Sequence, residues 1–407
     1  MKMKVEYDVP LSRNVHHLGR LEIPGGGQVV IQGNYAYVGH MKPPHGTSII
    51  DISDPAAPKV VSQIEPPEWS HTHKVRVAGD IMITNVEQDR RHFLRKGDKI
   101  PALRAAGKTD AEIAGEIGVT LEDIPDLDAA RERGYDGGGF RVWDISDKTA
   151  PKLLSYVKTH GFGTHRFDMD ENYAYISTEM EGYVGNILVI YDLADPSNPA
   201  EVSRWHMPGQ HVAAGETPTG VGYSHRLHHA MRVGDEFWAA VWHAGLRVLD
   251  ASDITKPKLT GSYVWPKAIP EPTHTVMPLE QEINGRRYAV AIDEEHAHQP
   301  GRLHGFVWVM DVTDIEKMEP VAAWDLSERA CPYVGEDGVR FGAHQFREKL
   351  DSTLVYCTWF AGGLRVLDLA DPLHPEEVAY FMPDRGPGDM APQSNDVDVG
   401  EDGRIYL

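Results

Sequence analysis

The chain has 407 residues, and its 61 Asp and Glu residues outnumber its 40 Lys and Arg residues, which gives a formal net charge of −21 at pH 7. Because a field this negative repels phosphate backbones, we expect no nucleic-acid partner. The N-terminal sequence lacks the apolar segment of a signal peptide, no apolar run is long enough to span a membrane, and the two cysteines are too few for a disulfide framework. These features predict a cytoplasmic protein with reduced cysteines and no membrane partner.

A turn that begins with Asp and ends with Pro recurs along the chain, each time after a short apolar strand. Asp ends the strand and hydrogen-bonds the backbone of the turn, while Pro fixes φ and removes a donor. The copies lie at residues 51–58, 144–151, 192–199, 250–257, 311–320 and 368–375. Because each repeat also contains four short strands, this periodicity predicts an all-β fold, a β-propeller.

The order of the repeats predicts seven blades. Residues 1–14 form a tail, residues 15–23 resemble a lone outer strand, and six repeats follow. Residues 394–399 and 404–407 would supply two strands of a seventh blade. We expect the N-terminal strand to complete that sheet as its outer strand, and either residues 5–9 or a continuation past Leu407 to provide its third strand. The sequence therefore predicts one propeller domain over residues 15–407, closed by the N-terminal strand.

Residues 90–138 interrupt the second blade between its second and third strands and have a helical pattern. Helix formers fill residues 102–106 and 111–117, and Thr109 with Glu112 has the pattern of a capping box. Residues 107–120 superficially resemble a helix-turn-helix, but the acidic surroundings argue against DNA binding. We predict a helical insertion that acts as a lid or as a contact in a homo-oligomer.

Histidines recur at the opening of the first strand of most blades. They are His73, His165, His228, His274 and His344. The first strand of a propeller blade is innermost, so these five side chains, called here the ring histidines, should converge on the central channel at one rim. Neutral imidazoles offer lone pairs to a cation, which favours a divalent metal: Fe(II) first, with Cu, Mn or Zn as alternatives. A proton relay or a polar channel without a metal remains open.

Loop lengths identify the same rim as the functional face, because the insertion and the longest links between strands all lie there. Residues that end second strands should reach this rim as well. They are His40, Glu87, Glu179, His243, Glu294 and Glu295. We take Glu179, His243 and Glu294 as candidate catalytic proton carriers; carboxylates here could instead orient the imidazole ligands.

The strand-plus-turn pattern resembles the LVIVD-repeat family, as in LRVLDLADPLHP (364–375) and FRVWDISDKTAP (140–151). That resemblance implies a propeller without fixing a reaction. The histidine arrangement is similar to that of carotenoid cleavage oxygenases, in which four histidines from four blades hold non-haem iron, and to the selenium-binding protein/methanethiol oxidase family. This second resemblance implies a metal site, although a fifth histidine departs from the four-ligand pattern.

Three functions are compatible with the sequence. The first is a metal-dependent oxidoreductase, a mononuclear non-haem iron oxygenase acting on a small apolar or aromatic molecule. Aromatic residues predicted near the rim could contact such a substrate: Trp69, Phe162, Tyr223, Trp242 and Trp359. The second is a hydrolase or lyase that uses the same metal as a Lewis acid. The third is a binding propeller without catalysis.

Overall fold

The computed structural model describes residues 11–218, 225–269, 271–296, 303–333, 339–386 and 389–407, and the fold is all-β with one helical insertion. Antiparallel sheets form the blades of a β-propeller, with strands adjacent in sequence adjacent in each sheet. A short first strand, β1 (Ser12–Arg13), joins the last blade.

The first blade contains β2 (Gly26–Gln32), β3 (Tyr35–His40), β4 (Thr47–Asp51) and β5 (Lys59–Ile64). The second contains β6 (Ser70–His71), β7 (Val75–Ala78), β8 (Ile81–Gln88), β9 (Gly139–Asp144) and β10 (Lys152–Lys158). The third contains β11 (Thr164–Met169), β12 (Tyr173–Glu179), β13 (Asn186–Asp192) and β14 (Ala200–Trp205). In the second blade the innermost position is divided between β6 and β7, which both pair with β8.

The fourth blade contains β15 (His229–Val233), β16 (Glu236–Ala240), β17 (Leu246–Asp250) and β18 (Lys258–Tyr263). The fifth contains β19 (Thr273–Pro278), β20 (Tyr288–Asp293), β21 (Val307–Asp311) and β22 (Glu319–Trp324). The sixth contains β23 (Ala343–Phe346), β24 (Leu354–Trp359), β25 (Gly363–Asp368) and β26 (Glu376–Phe381). Short 3₁₀ turns occur at Val212–Ala214, Ile315–Lys317 and Glu328–Ala330.

The described residues form six blades, so the prediction of seven blades is wrong. After the sixth blade the chain forms a two-stranded sheet, β27 (Asp398–Val399) with β28 (Ile405–Tyr406). Residues 15–23, predicted to complete this sheet, form no strand. Instead β1 pairs with β26 at the outer edge of the sixth blade. Residues 5–9, the other predicted contributor, lie outside the described residues.

Side-chain contacts explain how the sector between the sixth and first blades is filled without a full sheet. Leu21 and Ile23 pack against apolar residues of the first blade, and Val15 packs against the sixth. Asp396 and Asp398 accept hydrogen bonds from backbone N–H groups of β2 at 3.1 and 2.8 Å. Apolar packing and carboxylates therefore take the place of strand pairing there, and the N-terminal segment needs no strand conformation.

The turns that begin with Asp form as the sequence predicts. In every copy the Asp that ends the third strand accepts a hydrogen bond from the backbone N–H two residues later, at 2.7–3.0 Å. These residues are Asp51, Asp144, Asp192, Asp250, Asp311 and Asp368. The bond is local, which explains why the sequence alone reveals the turn.

Apolar layers between neighbouring blades hold the propeller together. Phe140 of the second blade contacts Tyr191 of the third with ring centroids 5.0 Å apart, and Tyr175 contacts Phe237 of the fourth at 4.9 Å. Full burial of a side chain such as Phe contributes about 1.5–3 kcal/mol.

The insertion in the second blade is helical, as predicted, and has its own apolar core. Its helices are α1 (Arg91–Leu94), α2 (Ile100–Ala105), α3 (Asp110–Ile117) and α4 (Asp123–Arg133), with a 3₁₀ turn at Arg95–Lys99. The capping box forms, since the Glu112 carboxylate accepts from the Thr109 backbone N–H at 2.8 Å. Ile113 and Leu127 pack in a cluster of insertion residues only. Among the described helices, none has the length and apolarity needed to cross a bilayer.

Candidate metal centre

The ring histidines enter the channel where their strands depart from regular pairing. The pairing register shifts by one residue at His165, His274 and His344, so each of these is the extra residue of a β-bulge. A bulge breaks the alternation of side chains between the two faces of a sheet. The histidine and the residue after it can therefore both face the channel.

The structure brings all five ring histidines together in one arc. Ring centroids lie 5.4 Å apart for His73 and His165, 5.0 Å for His165 and His228, 3.8 Å for His228 and His274, and 4.5 Å for His274 and His344. The arc passes through the second to the sixth blades in order. Two carboxylates divide it into two groups.

The first group is His71, His73 and Glu87, whose ligand atoms all lie within 4.8 Å of one another. Glu87 also lies 3.1 Å from Nδ1 of His165 and forms an ion pair with Arg91 of the insertion. His71 contacts Glu87 through Nε2 at 3.0 Å. The partners of Glu87 lie closer to it than the corresponding partners of Glu294 in the second group, with imidazole contacts at 3.0 and 3.1 Å against 3.4 Å. The first group is therefore the weaker candidate for a metal.

The second group is His228, His274 and Glu294, with ligand atoms also within 4.8 Å of one another. His228 is 1% exposed, and its Nε2 has no hydrogen-bond partner among the described residues. Nε2 of His344 lies 4.0 Å from Oε1 of Glu294, and Arg340 donates to the same oxygen at 3.3 Å. The opposite oxygen, Oε2, lies 4.0 Å from Nε2 of His274. Oε2 also lies 3.4 Å from Nε2 of His296, so each oxygen of Glu294 faces one ring histidine and one further partner that holds it in place.

Burial keeps the imidazoles of the second group neutral. It lowers the pKa of His228 and of His274 well below the ordinary value, and neighbouring histidines lower both further. Burial alone would raise the pKa of Glu294, but His296, His344 and His274 together outweigh it, and the pKa of this carboxyl lies well below its usual range. Two neutral imidazoles and one carboxylate are the protonation states that bind a metal.

A second layer of polar side chains, which sequence reasoning missed, lies beneath the ring histidines. Its centre is Glu348, which is nearly buried and contacts five blades. Its hydrogen-bond donors are Gln28, Arg76, Arg166, His229 and Gln345. The available signal was the polar residue directly after each of several ring histidines: Lys74, Arg166, His229, Thr275 and Gln345. A regular strand that alternates faces would not place polar residues at two successive positions of its inner end.

Two of the three candidate proton carriers lie apart from the second group. Glu179 forms an ion pair with Arg95 of the insertion and accepts from the backbone N–H of Phe162 at 3.0 Å. His243 lies in the turn after β16 and belongs to neither group of metal-ligating atoms in the described chain. Of the three, only Glu294 is placed among the ring histidines.

The aromatic residues predicted near the rim have different surroundings. Trp242 contacts the His228 ring at 5.5 Å between centroids, whereas Trp359 is fully buried against Trp324. Phe162 lies under the guanidinium of Arg95, and Trp69 is 52% exposed. Tyr223 lies outside the described residues. Trp242 is therefore the aromatic side chain that borders the second group.

Two arginines at the start of the insertion hold it against the rim. Arg91 pairs with Glu87 of the first group, and Arg95 pairs with Glu179 while its guanidinium lies 3.9 Å from the Phe162 ring centroid. Charge-assisted contacts of this kind are among the stronger polar interactions in proteins. The insertion thus reaches the carboxylates that border the ring histidines.

Deleting residues 91–137 and joining the ends with a short Gly linker should leave a folded propeller. The insertion leaves and rejoins the sheet between paired strands, since Val86 lies opposite Gly139, and its core is its own. We expect cooperative thermal unfolding and faster removal of bound metal by a chelator, because the insertion that Arg91 and Arg95 hold at the rim would no longer border the ring histidines. An aggregated variant would instead assign the insertion to an obligate interface, and unchanged chelation kinetics would rule out a covering role.

Comparisons with known proteins agree with the architecture. The LVIVD repeat model matches residues 26–65, 135–159, 168–206 and 234–264, about a third of the chain and parts of the first four blades. The structure is similar to the C-terminal WD40 domain of Sif2 (TM-score 0.51, 8% identity, 94% of this chain and 92% of that one). It is also similar to a putative 6-phosphogluconolactonase from Bacteroides uniformis (TM-score 0.54, 10% identity, 88% of this chain and 83% of that one). These likenesses show the fold alone.

No curated protein matches the sequence significantly. The repeats matched by the family model coincide with blades whose turns begin with Asp, including blades one and three almost entirely. The chain therefore contains LVIVD repeats, which form part of a β-propeller.

Proposed function

We propose that the protein binds a divalent metal through His228, His274 and Glu294. With this metal it would act as an oxidoreductase of the non-haem iron oxygenase type. The proposal is carried by His228, whose buried Nε2 lacks a hydrogen-bond partner among the described residues. One ring nitrogen of His228 also lies within 4.8 Å of ligand atoms of His274 and Glu294. A buried polar atom without a partner costs free energy. A metal at this position would satisfy it.

The types of ligand atom limit which metals and which reactions the site would support. Two imidazoles and one carboxylate that leave coordination positions open are the ligands of non-haem Fe(II) oxygenases. The same donor set occurs with zinc in hydrolases, where the metal activates water. When bound, the metal would supply the redox or Lewis-acid chemistry. The residues of this chain would hold it, keep its surroundings dry and border the substrate with Trp242.

The proposal replaces the five-histidine site with a smaller one. His165 lies against Glu87, and Nδ1 of His344 donates to the carbonyl of Asn395. Both remain near enough to act as neighbours of the metal, and their role as ligands stays a prediction. His73 belongs to the first group, where Arg91 already neutralises the carboxylate.

The metal content of protein purified without chelator tests the proposal. We expect about one divalent metal per chain, and Fe(II)-loaded protein should consume dioxygen with small apolar or aromatic substrates. Turnover under argon with zinc would assign the hydrolase or lyase alternative to the same residues. Protein that binds no Fe(II), Zn(II), Cu(II) or Mn(II) at micromolar concentration would overturn the metal centre and leave a binding propeller.

A further inference from the structure

We infer that Glu348 is a positioning residue that fixes the tautomers of both His228 and His274, so that each keeps an unprotonated Nε2 available to a metal. The inference rests on the proposed metal centre and adds the residue that prepares it. Glu348 contacts neither histidine. It acts through His229 in the fourth blade and Gln345 in the sixth.

The branch through His229 determines the tautomer of His228. An ionised carboxylate only accepts hydrogen bonds, so Nε2 of His229, 3.1 Å from Oε1 of Glu348, carries the proton. Nδ1 of neutral His229 is then an acceptor. It lies 2.8 Å from Nδ1 of His228, which must therefore donate. Nε2 of His228 is left unprotonated, and this is the buried atom without a partner.

The branch through Gln345 gives the same result for His274. The Gln345 amide nitrogen donates to Oε1 of Glu348 at 2.6 Å, so its carbonyl oxygen is the free acceptor. That oxygen accepts from the Thr275 hydroxyl, whose own oxygen lies 2.8 Å from Nδ1 of His274. Since the hydroxyl proton points to Gln345, Nδ1 of His274 donates, both to Thr275 and to the Gln345 oxygen at 3.1 Å. Nε2 of His274 is again left with its lone pair, 4.0 Å from Oε2 of Glu294.

The surroundings of Glu348 keep it an acceptor. Arg76 and Arg166 form ion pairs with its two oxygens, and Gln28 donates to Oε2 at 3.3 Å. A protonated carboxyl would carry a donor and could reverse either branch. The two guanidinium groups therefore stabilise the charge state on which both tautomers depend.

Nitrogen NMR of metal-free, ¹⁵N-histidine-labelled protein tests the tautomers directly. We expect His228 and His274, assigned through their Ala variants, to be protonated at Nδ1 and not at Nε2. An Nε2–H tautomer at either residue would overturn the inference. Because this measurement needs no metal, it separates a failure of the inference from a failure of the proposed metal centre.

A matched pair of variants at position 229 tests the branch to His228. In His229→Gln the amide can donate to Glu348 and accept from His228, so we expect Zn(II) affinity within about threefold of the parent. His229→Leu cannot do either, and affinity should fall about 10–100-fold, the usual effect of losing a residue that orients a ligand. Equal affinities for the two variants would contradict a positioning role.

Glu348→Gln, compared with Asp168→Asn, separates positioning from general electrostatics. Asp168 is also a buried carboxylate and lies 3.6 Å from the same Arg76, but it has no link to His228 or His274. Both variants should lower stability. Only Glu348→Gln should lower Zn(II) affinity, again about 10–100-fold. If Asp168→Asn lowered it as much, or if Glu348→Gln retained full affinity, the assignment to Glu348 would be wrong.

Discussion

Replacing His228 or His274 by Ala, or Glu294 by Gln, is expected to lower metal affinity by more than about 100-fold, beyond the loss caused by altering a residue that only orients a ligand. Each substitution removes one of three donor atoms that lie within 4.8 Å of one another. The side chains lie in the channel, outside the apolar layers between blades. The thermal midpoint of the metal-free variants should therefore move by only about 2–4 °C. Elemental analysis and Zn(II) titration measure the first effect, and calorimetry measures the second.

Two control variants make this result specific. His374 pairs with Asp371 in an exposed turn, with 79% of its side chain accessible, and His374→Ala should keep full metal content. His165→Ala distinguishes the three-residue centre from the five-histidine ring, because His165 contacts Glu87 and not Glu294. Loss of metal in His165→Ala would favour the wider ring, and full retention in all three channel variants would refute a metal site here.

The metal-free protein should become much less stable as the pH falls from about 6.5 to 4.5. Burial lowers the pKa of His71 to about 4 and that of His344 to about 3, and it lowers those of His73, His228 and His274 well below the ordinary value. Below pH 6.5 the unfolded chain binds protons that the folded chain does not, so the free energy of unfolding decreases with falling pH. Each such histidine contributes about 1.4 kcal/mol per pH unit. Urea midpoints at pH 7.5, 6.5, 5.5 and 4.5, with chelator present, measure the slope.

Other buried groups affect this slope in predictable ways. Burial raises the pKa of Asp293 well above its usual range. This residue therefore takes up a proton in the folded state and opposes the loss of stability at low pH. Burial would lower the pKa of His304, but Glu295 and Glu328 raise it to about 9, so the stabilisation from its charge is lost only as the pH rises through that value. His344→Gln should reduce the slope of unfolding free energy against pH by about 1.4 kcal/mol per pH unit, because one fewer proton is taken up on unfolding. An unchanged urea midpoint between pH 6.5 and 5.5 would show that the ring histidines are protonated in the fold.

The features that the sequence predicts are those that depend on nearby residues. Each turn that starts with Asp is closed by a hydrogen bond over two residues, and the capping box of Thr109 spans three. Both are visible as short patterns. The convergence of His165, His228 and His274 was also predictable. The same position in each repeat of a closed propeller lies at the same distance from the central axis and at the same rim.

The features that the sequence does not predict depend on long-range geometry. Residues 15–23 have the pattern of a strand, yet they pack without pairing because Asp396 and Asp398 bind the backbone of β2. Glu348 lies in the turn after a strand and resembles a solvated charge. Its role becomes visible only when five blades place donors around it. The bulges at His165, His274 and His344 leave only one local sign, two successive polar residues at each position, and their geometry depends on pairing with the neighbouring strand.

The position of Glu348 also bears on diffusion through the molecule. A through-pore would give solvent and small solutes two routes to the ring histidines. Here one carboxylate with donors from five blades lies across the axis beneath them. Metal, substrate and product would then share a single mouth, the one that the insertion borders through Arg91 and Arg95. Product that has not left would block the next substrate, so opening at that mouth would set an upper limit on turnover.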